Sequence, residues 1–415
     1  MSCIINSIKV VIFYLILAIS AFFGLVFAQT PAVPFIFLNR RLYFRWCSFA
    51  MGYYLLMATC LLEDLLGIKI VITGDDLTKD NKRSLIVLNH RTRLDWMFIF
   101  MLHSRFQTLK QLKIVLKADL KRIPGPGWAM QHAGYLFLDR IWEKDQETMK
   151  NISGYYKSCQ SPLSILIFPE GTNLTEQTKI KSNEYAAKQT SFNASYEYCL
   201  HPRLNGFKFL LNSMRSEEIL DAIDDVTIGY EGAIPEAEID LLKGHIPSII
   251  HFHVKRYDIG YEGAIPEAEI DLLKGHIPSI IHFHVKRYDL DTLPRTDEEI
   301  GEWLQSRWEQ KENHLKEFYN KNQFDSSSKH FNDAHTESNI SFQRRLAFIL
   351  WSLFILFWSY CIFAYIKIKF FVFLVCIFHA IMDSFANGVI DFVCQLDANY
   401  RQLNSIRTRP AIKQD

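Results

Sequence analysis

Apolar runs sit near both ends of this chain, and they limit its fold more than any other feature. Val11–Ala28 reads VIFYLILAISAFFGLVFA. A helix of that length about crosses a hydrocarbon core of roughly 30 Å. Trp46–Leu62 is also apolar and uncharged, and Arg40, Arg41 and Arg45 lie between the two runs. Leu346–Ile366 (LAFILWSLFILFWSYCIFAYI) is uncharged as well and follows Arg344 and Arg345. Lys367 and Lys369 come next, then a shorter apolar run, Phe370–Met382. The pattern predicts a multi-pass membrane protein. An N-terminal helical membrane hairpin of two apolar helices takes residues 1–67, C-terminal transmembrane helices take 344–385, and 386–415 form a polar tail. A cleaved signal peptide competes for the first run, because Val26-Phe27-Ala28 resembles a cleavage site. Lys9 is the one side-chain charge ahead of that run, and a second apolar run follows soon after, which favours an anchor. Basic residues flank several segments on both sides, so charge bias orients them only weakly.

Composition excludes other classes. Hydrophobic residues at 49% and a net charge of +1 rule out a disordered chain. The balance of 46 Lys and Arg against 45 Asp and Glu argues against a nucleic-acid binder, which is strongly basic. Eight cysteines without a CxxC spacing are too sparse for a disulfide scaffold and match no zinc cluster, so no metal is expected. Sequons at Asn151, Asn173, Asn193 and Asn339 are short enough to arise by chance, and a cytosolic central domain remains the expectation.

Residues 68–320 mix polarity. β-rich runs recur at Ser84–Leu88, Lys113–Leu116, Gly134–Leu138, Leu163–Phe168 and Val226–Tyr230, with helix-like Trp96–His103 and Gly206–Ser213 among them. Such alternation predicts an α/β domain, a mixed sheet flanked by helices. Asp297–Tyr319 reads as a charged surface helix, and the serine-rich Lys321–Ser341 as a polar linker spanning 321–343. One feature is abnormal: residues 228–258 are repeated without a change by residues 259–289. Two copies do not make a solenoid, which needs about three or more. Perfect identity points to a recent in-frame duplication or an error in the assembled gene. Both copies cannot fill one place in a closed core. One is expected in the sheet, the other looped out or added as an edge hairpin.

Three local patterns carry chemistry. Asn89-His90-Arg91-Thr92-Arg93-Leu94-Asp95-Trp96 lies between the apolar run LIVL and the helix-like WMFIFML. On an ideal helix His90 and Asp95 would point about 140° apart, since each residue turns roughly 100°. They meet only if the backbone bends, as at a strand–turn–helix junction. A carboxylate on one imidazole nitrogen fixes the tautomer and leaves the other nitrogen as a base. Phe168-Pro169-Glu170-Gly171-Thr172 closes the apolar strand LSILIF. A turn there lies where open α/β sheets place ligands, and its N–H groups can hold phosphate oxygens. Gly134–Arg140 (GYLFLDR), preceded by IPGPGW, sets the Arg140 guanidinium at a sheet edge, in a shape suited to phosphate. Each pattern alone also fits a plain role: a capped helix, a β-turn, a surface salt bridge.

Taken together and in this order, the three patterns resemble the glycerophospholipid acyltransferase family of the 1-acylglycerol-3-phosphate type, and within it the lysocardiolipin acyltransferase branch. Longer shared runs are NHRTRLDW, KADLKRIPGPGWAMQ, FPEGT, LHPR at Leu200–Arg203 and IHFHVKRYDLDTLP at Ile281–Pro294. The resemblance covers most of the chain. It implies a membrane-bound enzyme moving an acyl group from acyl-CoA, a co-substrate with no further cofactor, to the hydroxyl of a lysophospholipid in the bilayer. His90 would be the base and Asp95 its orienting partner. Arg140, Glu170, Gly171 and Thr172 would hold the acceptor phosphate. Lys117, Lys121 and Arg122 would form a basic approach for headgroup or coenzyme A phosphates. A fourth family block ends in a proline, matched by Pro235 in the first repeat copy and Pro266 in the second. Asn173 departs from the pattern, which has an acidic residue there, and this bears on headgroup preference. The motifs supply no Ser or Cys nucleophile, so no acyl-enzyme is implied. The resemblance also implies the endoplasmic reticulum.

Rival readings differ in testable ways. A lysophosphatidic acid acyltransferase shares the motifs and differs in acceptor. A tafazzin-like transacylase would work without coenzyme A. A membrane scaffold with a site disabled by the duplication is the non-enzymatic alternative; the joint presence of His90, Asp95, Arg140 and Glu170 counts against it. A transporter is disfavoured because a long polar region separates the few apolar runs.

Overall fold

The computed structural model describes residues 2–74, 83–188, 195–231, 234, 249–256, 288–289, 294–321, 324 and 334–407. Pro235, Pro266 and the sequon at Asn193 lie outside the described residues. The strands are β1 (Lys69–Gly74), β2 (Ser84–Leu88), β3 (Leu112–Lys117), β4 (Leu136–Leu138), β5 (Ser164–Ile167), β6 (Ala222–Glu231), β7 (Ile249–Arg256) and β8 (Tyr288–Asp289). They form one sheet in the order β1-β7-β6-β2-β5-β3-β4, with β8 also on β6. The run β6-β2-β5-β3-β4 is parallel throughout. β7 pairs antiparallel with β6, and β1 pairs parallel with β7, so the sheet is mixed. All of β2 is buried. This is why SLIVL is a continuous apolar run rather than an alternating one, as befits a strand covered on both faces. The carboxyl ends of the parallel strands share one edge, and the motifs gather there.

The duplication leaves a mark in this sheet. Asp224 pairs with Arg256 in the β6–β7 ladder. Two more antiparallel steps would pair Ile223 with Tyr257 and Ala222 with Asp258. Those places are taken by Tyr288 and Asp289, the same two residues of the second copy. The ladder runs as though one whole repeat unit were absent between Arg256 and Tyr288. The first copy supplies the end of β6 and all of β7. We therefore expect deletion of residues 259–289 to leave apparent melting temperature and activity equal or higher, measured on detergent-solubilised protein. Complete loss of folding would mean that the extra unit has become part of the core.

Helices cover both faces of the sheet. They are α1 (Ser2–Gly24), α2 (Arg40–Cys60), α3 (Asp95–Arg105), α4 (Pro126–His132), α5 (Trp142–Cys159), α6 (Glu176–Ala187), α7 (Leu204–Ser216), α8 (Asp297–Lys321), α9 (Ala334–Ala364), α10 (Ile366–Phe385) and α11 (Val389–Arg407). α8 is not a plain surface helix. Ile300, Leu304, Trp308, Leu315 and Phe318 recur at steps of three, four and seven residues, all on one helix face, and are buried. From the same face Lys311 Nζ donates to Val226 O and pairs with Asp225, anchoring α8 to β6.

Three helices among the described residues are long and apolar enough to cross a membrane: Asn6–Ala32, Glu337–Ala364 and Ile366–Phe385. The two C-terminal ones expose most of their apolar surface, with Phe363 at 84% and Phe385 at 87%. Apolar area on that scale, on helices of spanning length, suggests a membrane protein. The second arm of the N-terminal pair, α2, is not one of the three. Tyr43, Phe44, Cys47, Met51 and Leu55 bury one side of it, and Lys113 Nζ reaches across from β3 to Ser48 Oγ at 3.0 Å. Leu42, Trp46, Phe49 and Tyr53 form an exposed stripe on its other side. It is a half-buried helix with one apolar outer face.

Two polar stretches fold where linker and tail are expected. Helix α9 begins at Ala334, inside the 321–343 linker. Its polar start is used: Arg105 pairs with Glu337 at 2.9 Å, and Arg344 with Glu63 at 2.7 Å. The 386–415 tail holds α11, whose Val389, Ile390, Val393 and Cys394 are buried in the core. Asp397 on α11 is fully buried against Arg40, at 3.2 Å. These four apolar residues recur at helical spacing within a stretch of mixed polarity, and Phe392 and Leu396 pack beside them.

Candidate active site

The site begins where β2 ends. Asn89 is fully buried; its side chain donates to Ile228 O at 3.1 Å and accepts from Ile228 N at 2.8 Å. This double contact pins the end of β2 to β6. The chain then turns and enters α3 at Asp95. His90 Nδ1 lies 2.9 Å from Asp95 Oδ2, so the bend brings the two together. Asp95 is fully buried and is held from several directions. Thr92 N donates to Oδ2 at 2.9 Å, Thr92 Oγ1 donates to Oδ1 at 3.1 Å, and the Tyr230 hydroxyl donates to Oδ1. Burial, and then the Asp95 charge, raise the Tyr230 phenol well above its usual range, so it stays a donor. With Nδ1 engaged by the carboxylate, Nε2 is the nitrogen available as a base. The His90 side chain is 17% exposed, enough for a substrate hydroxyl to reach it.

The FPEGT turn lies against this pair. Phe168 stacks on the His90 ring, centroids 4.2 Å apart. Leu174 N donates to His90 O at 2.8 Å. Glu170 points inward, not toward a ligand. It is 2% exposed and its Oε1 accepts from His90 N at 3.2 Å and Trp308 Nε1 at 3.1 Å. Burial raises its carboxyl to about 8, only partly opposed by those hydrogen bonds. The geometry puts Glu170 in another place than a phosphate contact: it braces the His90 turn against α8, and burial favours its neutral form. The Pro169–Gly171 turn folds its side chain back under the sheet edge, where water cannot solvate a charge. Gly171 has φ 73°, a left-handed conformation that favours glycine. Thr172 is half-buried beside it.

The basic residues divide. Arg140 is exposed and its Nη2 donates to Gly171 O at 3.1 Å, which brings the Asp-Arg pattern onto the FPEGT turn. Its φ of 64° is unusual for a non-glycine residue and marks a constrained position. Lys121 is corrected. It is buried and pairs with Asp391 of α11 at 3.0 Å rather than standing exposed as a basic approach. Lys117 is exposed beside Asp119, and Arg122 is exposed at the mouth of a cavity of about 290 Å³ that Asp139 and Lys144 also line. The IPGPGWAMQ run has a docking role as well: Trp128 Nε1 donates to Asp383 of α10 at 2.6 Å.

Sequence reasoning named no role for Thr92, Tyr230 or Trp308. Thr92 lies inside the His-Asp motif and was open to notice. Trp308 could have been found from the apolar periodicity of α8. Tyr230 carries no local signal, because its contact spans 135 positions. Replacing Tyr230 with Phe removes one hydrogen bond to a charged group, worth about 1.5–3 kcal/mol. We expect kcat to fall roughly 10–100-fold, with a displaced pH–rate profile and a melting temperature lowered by several degrees. An unaltered profile would make Tyr230 a packing residue.

Comparison with known proteins gives the class. Residues 69–228 match the family described as acyltransferase, and residues 271–354 match the acyltransferase C-terminus family. The chain belongs to the acyltransferase family. In particular, it is 34% identical to lysocardiolipin acyltransferase 1 of Mus musculus, over 93% of this chain and 95% of that protein. It is 39% identical to the Gallus gallus protein of the same name, over 75% of this chain and 73% of that one. It is 34% identical to lysophosphatidylinositol acyltransferase 10 of Caenorhabditis elegans, over 66% of this chain and 62% of that one. No solved structure matches the chain significantly.

Proposed function

We propose that this protein transfers an acyl group from acyl-CoA to the free hydroxyl of an anionic lysophospholipid, with lysocardiolipin the first candidate acceptor. The observation that carries this reading is the His90–Asp95 pair, its Nε2 available, beside a turn that bears a guanidinium. His90 Nε2 takes the proton of the acceptor hydroxyl. The oxygen attacks the thioester carbonyl and forms the ester bond. The carbon–sulfur bond breaks, and coenzyme A thiolate takes a proton back from the imidazolium. Asp95 holds the ring in the right tautomer and stabilises its positive charge. General-base help of this kind supplies about 10²–10⁴-fold.

The apolar helices support a lipid-borne acceptor, since they would hold the sheet's motif edge near a bilayer. We place the protein in the endoplasmic reticulum membrane with the α/β domain on the cytosolic side, where acyl-CoA is dissolved. The test is acyl transfer in membranes expressing the chain, with labelled oleoyl-CoA and a panel of monolysocardiolipin, lysophosphatidic acid, lysophosphatidylinositol and lysophosphatidylglycerol. Incorporation that depends on His90 and on coenzyme A supports the reading and names the acceptor. Transfer that persists without coenzyme A would favour a transacylase. No incorporation by well-expressed, membrane-bound protein would favour a scaffold.

A further inference from the structure

Arg203, in the LHPR run, has no role so far. Its backbone N donates to Pro169 O at 2.8 Å, which ties it to the FPEGT turn. The residues ahead of it are fixed: His201 is buried, its ring stacked on Tyr196 at 4.0 Å and its backbone N bonded to Ser182 Oγ at 2.9 Å. Helix α7 starts directly after it. The Arg203 side chain is exposed and lies across Gly171: a Cβ built there would stand 3.1 Å from Cδ, 3.2 Å from Nε and 3.4 Å from Cζ. The same glycine's carbonyl holds Arg140 Nη2. Two guanidiniums therefore converge on one residue; Asp119 and Asp145 lie close enough to Arg140 to feel its charge, but neither is in salt-bridge contact with it.

Like charges in that position repel unless an anion lies between them. The adjacent carboxyl does not serve, because Glu170 is turned inward onto His90 N and Trp308 Nε1, where burial favours its neutral form. The next residue with a polar side chain after Thr172 is the neutral Asn173. Guanidinium forks match the geometry of phosphate oxygens.

We propose that Arg203 is a second phosphate-binding residue, forming with Arg140 a two-guanidinium seat over Gly171 for a substrate phosphate. The seat rests on the acyltransferase reading. The bound group is a phosphate ester, from either the lysophospholipid acceptor or coenzyme A.

The experiment uses full-length protein in detergent, as wild type, Arg203→Ala, Arg203→Lys, Arg140→Ala and His90→Ala. Steady-state constants are measured for lysophosphatidic acid, for monoacylglycerol, and for oleoyl-CoA and its dephospho form. Arg203→Ala should raise KM for lysophosphatidic acid about 10–100-fold with kcat little changed. It should leave monoacylglycerol within about twofold, and Arg203→Lys should recover part of the loss. A KM rise confined to oleoyl-CoA, and missing with the dephospho form, would place the bound phosphate on coenzyme A. An equal change with phosphorylated and unphosphorylated substrates, or none with any, overturns the seat. Failure of the reading itself has a different signature: full activity in His90→Ala, or no transfer by wild type. Thermal stabilisation by sn-glycerol 3-phosphate needs no catalysis and tests Arg203 by itself. Wild type and His90→Ala should be stabilised, and Arg203→Ala should not. Equal stabilisation of all three by sn-glycerol 3-phosphate and, in a parallel titration, by coenzyme A also overturns the seat.

Discussion

His90→Ala is expected to lose about 10²–10⁴-fold in kcat, with the Michaelis constants for both substrates little changed. The argument is geometric. His90 touches the fold through its backbone, at Glu170 Oε1 and Leu174 N, through one ring nitrogen, at Asp95, and through its ring face, against the half-buried Phe168. Alanine keeps both backbone contacts. The buried Asp95 carboxylate keeps its Thr92 and Tyr230 donors, so the site should not collapse. Expression, membrane insertion and melting temperature should therefore match wild type. Asp95→Asn should cost activity too, because an amide can donate a proton toward Nδ1 and turn the imidazole to the wrong tautomer. Retention of kcat within about threefold by His90→Ala would remove the base from the mechanism.

Glu170→Ala carries the second large effect, and it should divide sharply from Glu170→Gln. Alanine leaves the N–H of His90 and the indole N–H of Trp308 without their acceptor, at about 1–3 kcal/mol each. The His90 turn then loses its brace, so activity and stability should fall together. Glutamine keeps one acceptor oxygen at the same place. It also mimics the neutral form of the side chain, which burial favours up to about pH 8. Glu170→Gln should accordingly keep most of the activity at pH 7. The pH dependence has a defined sign. The folded-state pKa is raised, so between about 4.5 and about 8 the unfolded chain gives up a proton that the folded protein retains. The stabilisation is whole below the unfolded pKa. It declines as pH rises through this window, by about 1.4 kcal/mol per unit. Melting curves of wild type and Glu170→Gln from pH 4.5 to 8.5 should diverge, the glutamine variant gaining relative to wild type as pH rises. Parallel curves would mean that Glu170 is ionised in the fold.

Several features were legible because they depend on short stretches of chain. The apolar length of three helices, the α/β alternation and the strand–turn–helix geometry around His90 all follow from local residues and their periodicity. β2 was readable from its continuous apolar run, and α3 from the run that follows Asp95. Burial within the two ends of the chain is less legible, for the opposite reason. One side of Trp46–Leu62 packs on the domain, and α11 is mixed in composition while Val389, Ile390, Val393 and Cys394 bury a stripe of it. Composition averages over faces, and only packing separates them.

What the sequence determined by itself was the class: a sheet with flanking helices, apolar ends, and a His-Asp pair held by a bend. What only the tertiary structure decided was the direction in which side chains of matching motifs point. Glu170 and Lys121 sit inside motif runs yet turn into the protein, while Arg203, quoted only as shared text, lies across the FPEGT turn beside Arg140. The physical reason is desolvation. A charged group on a turn is held in water by a ligand-facing position or made neutral or paired by burial, and which of these occurs depends on residues far along the chain. Trp308 and Asp391 set it here, 138 and 270 positions from the residues they hold.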